Sequence, residues 1–236
     1  MIFDRFKYKK TYFKAGGLVD DITPREEQHA LELPIKFVAP RRVDSRDMCL
    51  SSSNQLHTPH CAGYTTAGYI EYRNWKTKHY PEQVNGDLIY KAAKQIDHSD
   101  RPGTTLNAAI NGALNLRLIS GTPMNVEYKE ITESNLSKEA KQAIAIKFAL
   151  HEFGVCISGF QITTEWDWVD KKTGLIRDLK GKGYKRGGHA VLLCGYDDVG
   201  VYIQNSWGDK WGHHGFAVLS WTMVARQLIS AMVITS

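Results

Sequence analysis

The hydrophobic period of this chain changes once, at Gly154, and that change limits the folds open to it. Upstream, apolar residues recur every three or four positions. From Cys61 through Trp75, the residues Ala62, Tyr64, Ala67, Gly68, Tyr69 and Tyr72 predict a helix. Leu88, Ile89, Ala92, Ala93 and Ile96 predict a second, ended by Asp97 to Asp100 and the Pro102-Gly103 turn. Thr105 is positioned to cap a third, with Leu106, Ala109, Ile110, Ala113 and Leu114 on one face. Ser137 is positioned to cap a fourth, running to Phe153 through Ala140, Ala143, Ile144, Ile146 and Leu150. Downstream, short apolar runs at 155–160, 189–196, 201–204, 215–220 and 231–235 read as strands. Asp197-Asp198-Val199-Gly200 reads as a hairpin turn, so at least that pair is antiparallel. Helices followed by strands give an α+β protein with a helical half and a sheet half.

The chain has 236 residues, room for one large domain or two small ones with a core that needs no disulfide or metal. Its composition, 42% hydrophobic and 23% charged, excludes disorder, collagen and coiled coil. No run of eighteen apolar residues occurs, so no membrane span or membrane partner is expected. The start, Met-Ile-Phe-Asp-Arg-Phe-Lys, lacks the apolar stretch of a signal peptide, and a cytoplasmic location is expected. A net charge of +5 is far from a nucleic-acid signature, so no nucleic-acid partner is expected. Much of that charge sits at 171–186, read as a basic loop carrying Lys171, Lys172, Arg177, Lys180, Lys182, Lys185 and Arg186. Residues 1–40, where Phe3, Phe6, Tyr8, Tyr12 and Phe13 alternate with lysines before Gly16-Gly17 and Asp20-Asp21, read as an extension to a body at 41–236.

Four cysteines are too few and too scattered for a disulfide scaffold. Cys49, Cys156 and Cys194 read as buried small hydrophobes. Cys61 differs, because it follows Thr58-Pro59-His60 and opens a helix, where the dipole and free amides favour a thiolate. A thiolate nucleophile needs a proton acceptor and a group to orient it. His189 begins one apolar strand and Asn205 ends the next, and the hairpin between them brings the two side by side. His57 and His60 read as loop histidines. His213-His214 does not suggest a metal site, since adjacent side chains diverge and other ligands are missing.

His189 and Asn205 stand 128 and 144 residues after Cys61, close to the roughly 130–150 typical of papain and the cathepsins. With Gly188-His189-Ala190-Val191, Asn205-Ser206-Trp207-Gly208 and Trp211-Gly212, the chain from about residue 43 onward resembles the papain-like cysteine peptidases, and is nearest in pattern to prokaryotic or viral members. The resemblance implies a papain-like fold: a helical lobe at about 41–120, an antiparallel sheet or barrel lobe at about 121–236, and an active site in the cleft between them. It implies a monomeric endopeptidase acting on peptide or protein without a cofactor. Cys61 is the implied nucleophile, and Gln55 with the Cys61 amide the implied oxyanion hole. Trp207 is implied to shield the His189 and Asn205 pair. Gly103 and Thr104 are implied to bind substrate backbone, with Gly188 and Ala190 beside a specificity pocket. Around Cys61 the residues His60-Cys61-Ala62-Gly63-Tyr64 depart from the plant and animal signature. The extension is expected to pack on the body or to block the cleft. Two other readings use the same residues: a cell-wall amidase or transglutaminase-like acyl transferase, and a catalytically idle peptide-binding module.

Overall fold

The structure, a computed structural model, describes residues 16–19, 30–31, 33–34, 36–80, 82–127 and 136–235. The aromatic and lysine alternation before Gly16 and the Asp20-Asp21 pair lie outside the described residues. Described elements run β1 (Val43–Asp44), α1 (Cys61–Lys78), α2 (Gly86–Asp97), α3 (Leu106–Asn115), β2 (Thr122–Asn125), α4 (Lys138–Phe153), β3 (Cys156–Thr163), β4 (Lys185–Tyr196), β5 (Gly200–Gln204), β6 (Phe216–Ser220), α5 (Trp221–Gln227) and β7 (Leu228–Thr235). The helices begin where their caps predict: the Thr105 side chain accepts from the Ala108 N–H, and Ser137 from Ala140. Gly154 ends α4 at φ 80°, a left-handed conformation, and an added Cβ would meet the Tyr72 hydroxyl at 1.8 Å. Only glycine fits at the point where the period changes.

The strands form one antiparallel sheet in the order β2-β7-β3-β4-β5-β6, with β1 paired to β4. Asp197 closes the β4–β5 hairpin, its Oδ1 accepting from the Val199 and Gly200 N–H groups. Along β4, Val191 and Leu193 enter a core shared with α4, while Ala190, Leu192 and Cys194 enter a second core shared with α1 and α3. β4 is therefore apolar on both faces, and α1 is held directly against the strand that begins at the sequence-identified histidine.

Several boundaries differ from the periodic reading. β4 starts four residues early, because Lys185 to Gly188 ladder onto β3 while their charges and glycines hide the strand pattern. β2 is masked in sequence by Pro123, tolerated because β2 is the sheet's edge strand. α5 is too short to show a period. Cys156 and Cys194 are buried as expected, but Cys49 is only half-buried.

Candidate active site

Cys61 is the first residue of α1, and His60 ends the preceding loop as the helix's N-cap residue. Gly63 and Gly86 bring α1 and α2 together here: a Cβ on Gly63 would stand 2.3 Å from the Gly86 carbonyl oxygen. His60 is fixed from outside, with Nδ1 2.7 Å from Asp87 Oδ1 and its ring stacked on Tyr90 at 3.7 Å.

Cys61 is fully buried. Burial pushes its thiol up to about 11, overriding the Ala190, Ala62 and Cys61 backbone N–H groups that point at the sulfur and favour the thiolate. In this buried position desolvation outweighs the amides that favour a thiolate at the helix N-terminus. Because Ala190 follows His189, its contact with the sulfur brings the imidazole and the thiol to adjoining positions across α1 and β4.

His189 is also fully buried, and its Nε2 lies 2.8 Å from Asn205 Oδ1. That same oxygen accepts the Ser206 N–H at 2.8 Å, which identifies it as the carboxamide's acceptor atom. Nε2 is therefore the ring donor, and Nδ1 carries the lone pair. Nδ1 has no hydrogen-bond partner among the described residues. Burial pushes the imidazole down to about 4, opposed by the Asn205 hydrogen bond and assisted by the Arg186 charge. Trp207 stacks on the ring, and Trp166 presents an edge at 6.2 Å.

Gln55 is held at both ends of its amide: Oε1 accepts the Ser206 hydroxyl at 2.6 Å, and Nε2 donates to the Thr58 carbonyl at 2.7 Å. One hydrogen of Nε2 remains for another acceptor. The Gln55 N–H donates to the Ser206 carbonyl at 2.9 Å, tying the loop before α1 to the segment after β5.

Residues 16–19 form a strap that crosses this site. Thr104 N–H donates to the Gly17 carbonyl and Val19 N–H to the Thr104 carbonyl, both at 3.0 Å. Gly16 N–H donates to the Gly188 carbonyl at 2.9 Å. The Leu18 side chain is buried with Cys61, Leu106 and Ala190. Glycines make the passage possible: a Cβ on Gly159 would stand 2.4 Å from a Leu18 methyl, and one on Gly103 2.4 Å from the Gly17 carbonyl oxygen. Thus Gly103, Thr104, Gly188 and Ala190, all named from sequence, adjoin one segment of chain. The extension was expected to pack on the body or to block the cleft, and residues 16–19 lie against Thr104 and Gly188. Sequence reasoning did not name Gly159, Trp166 or the residues of the extension that make the crossing, for which the Gly16-Gly17 pair, a sign of close backbone approach, was the available signal.

The family profile described as "Papain family cysteine protease" matches residues 115–234, about half of the chain. The chain belongs to the papain family of cysteine proteases. His189 and Asn205 lie within the matched segment, and Gln55 and Cys61 lie before it. A peptidase C1-like protein of Acanthamoeba polyphaga mimivirus is 34% identical over a match covering 40% of this chain and 38% of the relative, so the match spans about two fifths of that protein's length. Among solved structures, xylellain, a cysteine protease from Xylella fastidiosa, superposes with a TM-score of 0.72 at 18% identity, covering 97% of both chains. Procathepsin B S9 from Trypanosoma congolense superposes with a TM-score of 0.64 at 13% identity, covering 94% of this chain and 86% of the other. These likenesses establish a papain-like fold of mixed α and β elements.

Proposed function

We propose that the chain is a cysteine endopeptidase in which Cys61 is the nucleophile, His189 the general acid and base, and Asn205 the residue that orients His189. The observation that carries this reading is the double acceptor role of Asn205 Oδ1, which leaves the free lone pair of His189 on Nδ1. In the reacting enzyme the Cys61 proton passes to Nδ1. The sulfur attacks a peptide carbonyl, forming the C–S bond. The tetrahedral oxyanion is received by the Cys61 N–H and the free hydrogen of Gln55 Nε2. His189 then returns the proton to the leaving amine as the C–N bond breaks. Water, deprotonated by His189, hydrolyses the thioester and restores the thiol.

In this reading Gly103 and Thr104 bind the backbone of the acyl-side residues, and the Leu18 site between Gly159 and Ala190 takes an apolar side chain. The strap is then an internal inhibitor. It lies across the cleft between Thr104 and Gly188, the residue before His189. A peptide epoxide reacted at neutral pH with the full chain carrying Leu18→Asp, which unseats the strap, and followed by mass mapping, tests the assignment. Modification is expected at Cys61 ahead of Cys49, Cys156 and Cys194. Equal labelling of the cysteines contradicts it.

A further inference from the structure

The segment at 171–186 is anchored in a way that turns its acids inward and leaves its lysines outward. Asp170 is occupied in a turn, accepting from the Lys172 and Thr173 N–H groups and from the Thr173 hydroxyl. Asp178 pairs with Arg226 at 2.8 Å. Arg226 also reaches Glu165, a fully buried carboxylate whose Oε1 accepts the Leu179 N–H at 2.7 Å and whose Oε2 accepts from Gln227 at 2.6 Å. Thr164 and Tyr184 exchange two further hydrogen bonds, from Thr164 N–H to the Tyr184 carbonyl and from Tyr184 N–H to the Thr164 hydroxyl. A loop merely solvated by its charges does not require such anchoring.

What remains outside is positive. Arg177, Lys180, Lys182 and Lys185 are exposed, and among the described residues none of their side chains forms a salt bridge within 4.0 Å. Tyr184 stands among them, 81% exposed. Asp178, the acid nearest in sequence, is already neutralised by Arg226. Lys185 begins β4, three residues before Gly188, whose carbonyl receives the strap's Gly16 N–H. Gly16 also adjoins the Arg186 carbonyl, whose oxygen an added Cβ would meet at 4.0 Å. The basic surface therefore borders the cleft on its Gly188 wall, which faces Thr104 across Leu18 of the strap.

We propose that this surface is a docking shelf for an acidic stretch of the protein substrate, lying outside the Gly188 wall of the cleft. This rests on the reading of Cys61 and His189 as the reacting pair and of Thr104 as the acyl-side contact. Exposed cations of this kind act over a screening length of about 8 Å at physiological salt, so their contribution is salt-dependent.

Two measurements test the shelf. In the first, a fluorescent hexaglutamate peptide is titrated into the full chain at about 20 mM and about 300 mM salt. Binding is expected at low salt, weakened about tenfold or more by high salt and by the combined Lys180→Glu, Lys182→Glu and Lys185→Glu variant. In the second, full-length chain carrying Leu18→Asp to unseat the strap hydrolyses three leucine-containing peptides. One is extended with glutamates after the scissile bond, one with glutamates before it, and one with glutamines. One of the two glutamate extensions is expected to gain about tenfold in kcat/KM over the glutamine peptide at low salt, and the other not. Equal rates, an equal gain from either end, or binding of a single-stranded DNA oligonucleotide without binding of the acidic peptide overturns the proposal. Absence of cleavage of every peptide overturns the peptidase reading instead, while the binding titration still decides the shelf.

Discussion

The ring of Trp207 is stacked on that of His189, with centroids 4.6 Å apart and planes 27° from parallel. Trp207 follows Asn205 by two residues, so the segment that supplies the imidazole's partner also supplies its cover. Trp211 and Trp166 back Trp207 at 5.4 and 6.5 Å, and the Trp166 indole N–H donates to Gln227 at 2.8 Å. The histidine is thus dry on one side because three indoles pack in sequence behind it. A dry hydrogen bond is stronger than a wet one.

Trp207→Ala is expected to lower kcat/KM by about tenfold or more, in the range set by losing a well-oriented acid and base. Water admitted to the ring relieves the desolvation that lowers the imidazole's affinity for protons, so its titration moves up from about 4 toward 6.5. A pH–rate profile measures this, and Trp207→Phe is expected to restore most of the activity. An unchanged profile contradicts the shielding role.

The same burial makes the fold sensitive to acid. Unfolded, His189 binds a proton near 6.5; folded, only near 4. Between those values the unfolded chain holds the extra proton, so stability falls as pH drops from about 6.5 to about 4, by up to about 3 kcal/mol. Urea unfolding of the full chain and of His189→Gln across that range checks this. The variant is expected to show a shallower slope, and parallel slopes contradict the account.

Gly17 has no room for a side chain, since its Cβ would stand 2.5 Å from the Pro59 carbonyl oxygen. Gly17→Ala is therefore expected to expel the strap, as is Leu18→Asp, which sets a carboxylate among Cys61, Leu106 and Ala190. In either variant Cys61 alkylation by iodoacetamide is expected to accelerate about tenfold or more at mildly alkaline pH, with its pKa falling from about 11 as water reaches the sulfur. Alkylation at the parental rate shows that the strap does not guard the thiol.

Gln55→Ala removes one proposed oxyanion donor and is expected to lower kcat about 10²–10³-fold with little change in KM. Because Gln55 also braces Ser206, Gln55→Glu serves as the companion variant: its carboxylate can still accept the Ser206 hydroxyl but cannot donate. Rates that fall equally in both variants support the donor role, and near-parental activity in Gln55→Glu contradicts it.

The helices and central strands were legible because their signals are local. Thr105 and Ser137 each announce a helix by satisfying an N–H three residues on. His189 and Asn205 were legible as a pair because one hairpin joins their strands. That the extension packs on the body or blocks the cleft was anticipated, but which of its residues cross was not legible, since their partners Thr104 and Gly188 lie more than eighty residues away and the backbone pairing leaves no periodic trace. Nor was the balance at Cys61: the helix N-terminus is written in sequence, but the burial that overrides it comes from an apolar cluster that the fold gathers from distant segments, Leu18, Leu106 and Ala190 among them. The acidic anchors of the basic loop were hidden for the same reason, as Glu165 and Arg226 are joined only by the fold.

The central claim, that Cys61 is the nucleophile, is tested most directly by comparing kcat/KM of the strap-released full chain with the same chain carrying Cys61→Ala. The substrate is a leucine-containing peptide, and circular dichroism verifies that both chains are folded. Activity is expected to vanish into the uncatalysed background in the Cys61→Ala chain. Hydrolysis persisting at a comparable rate in that folded chain contradicts the assignment.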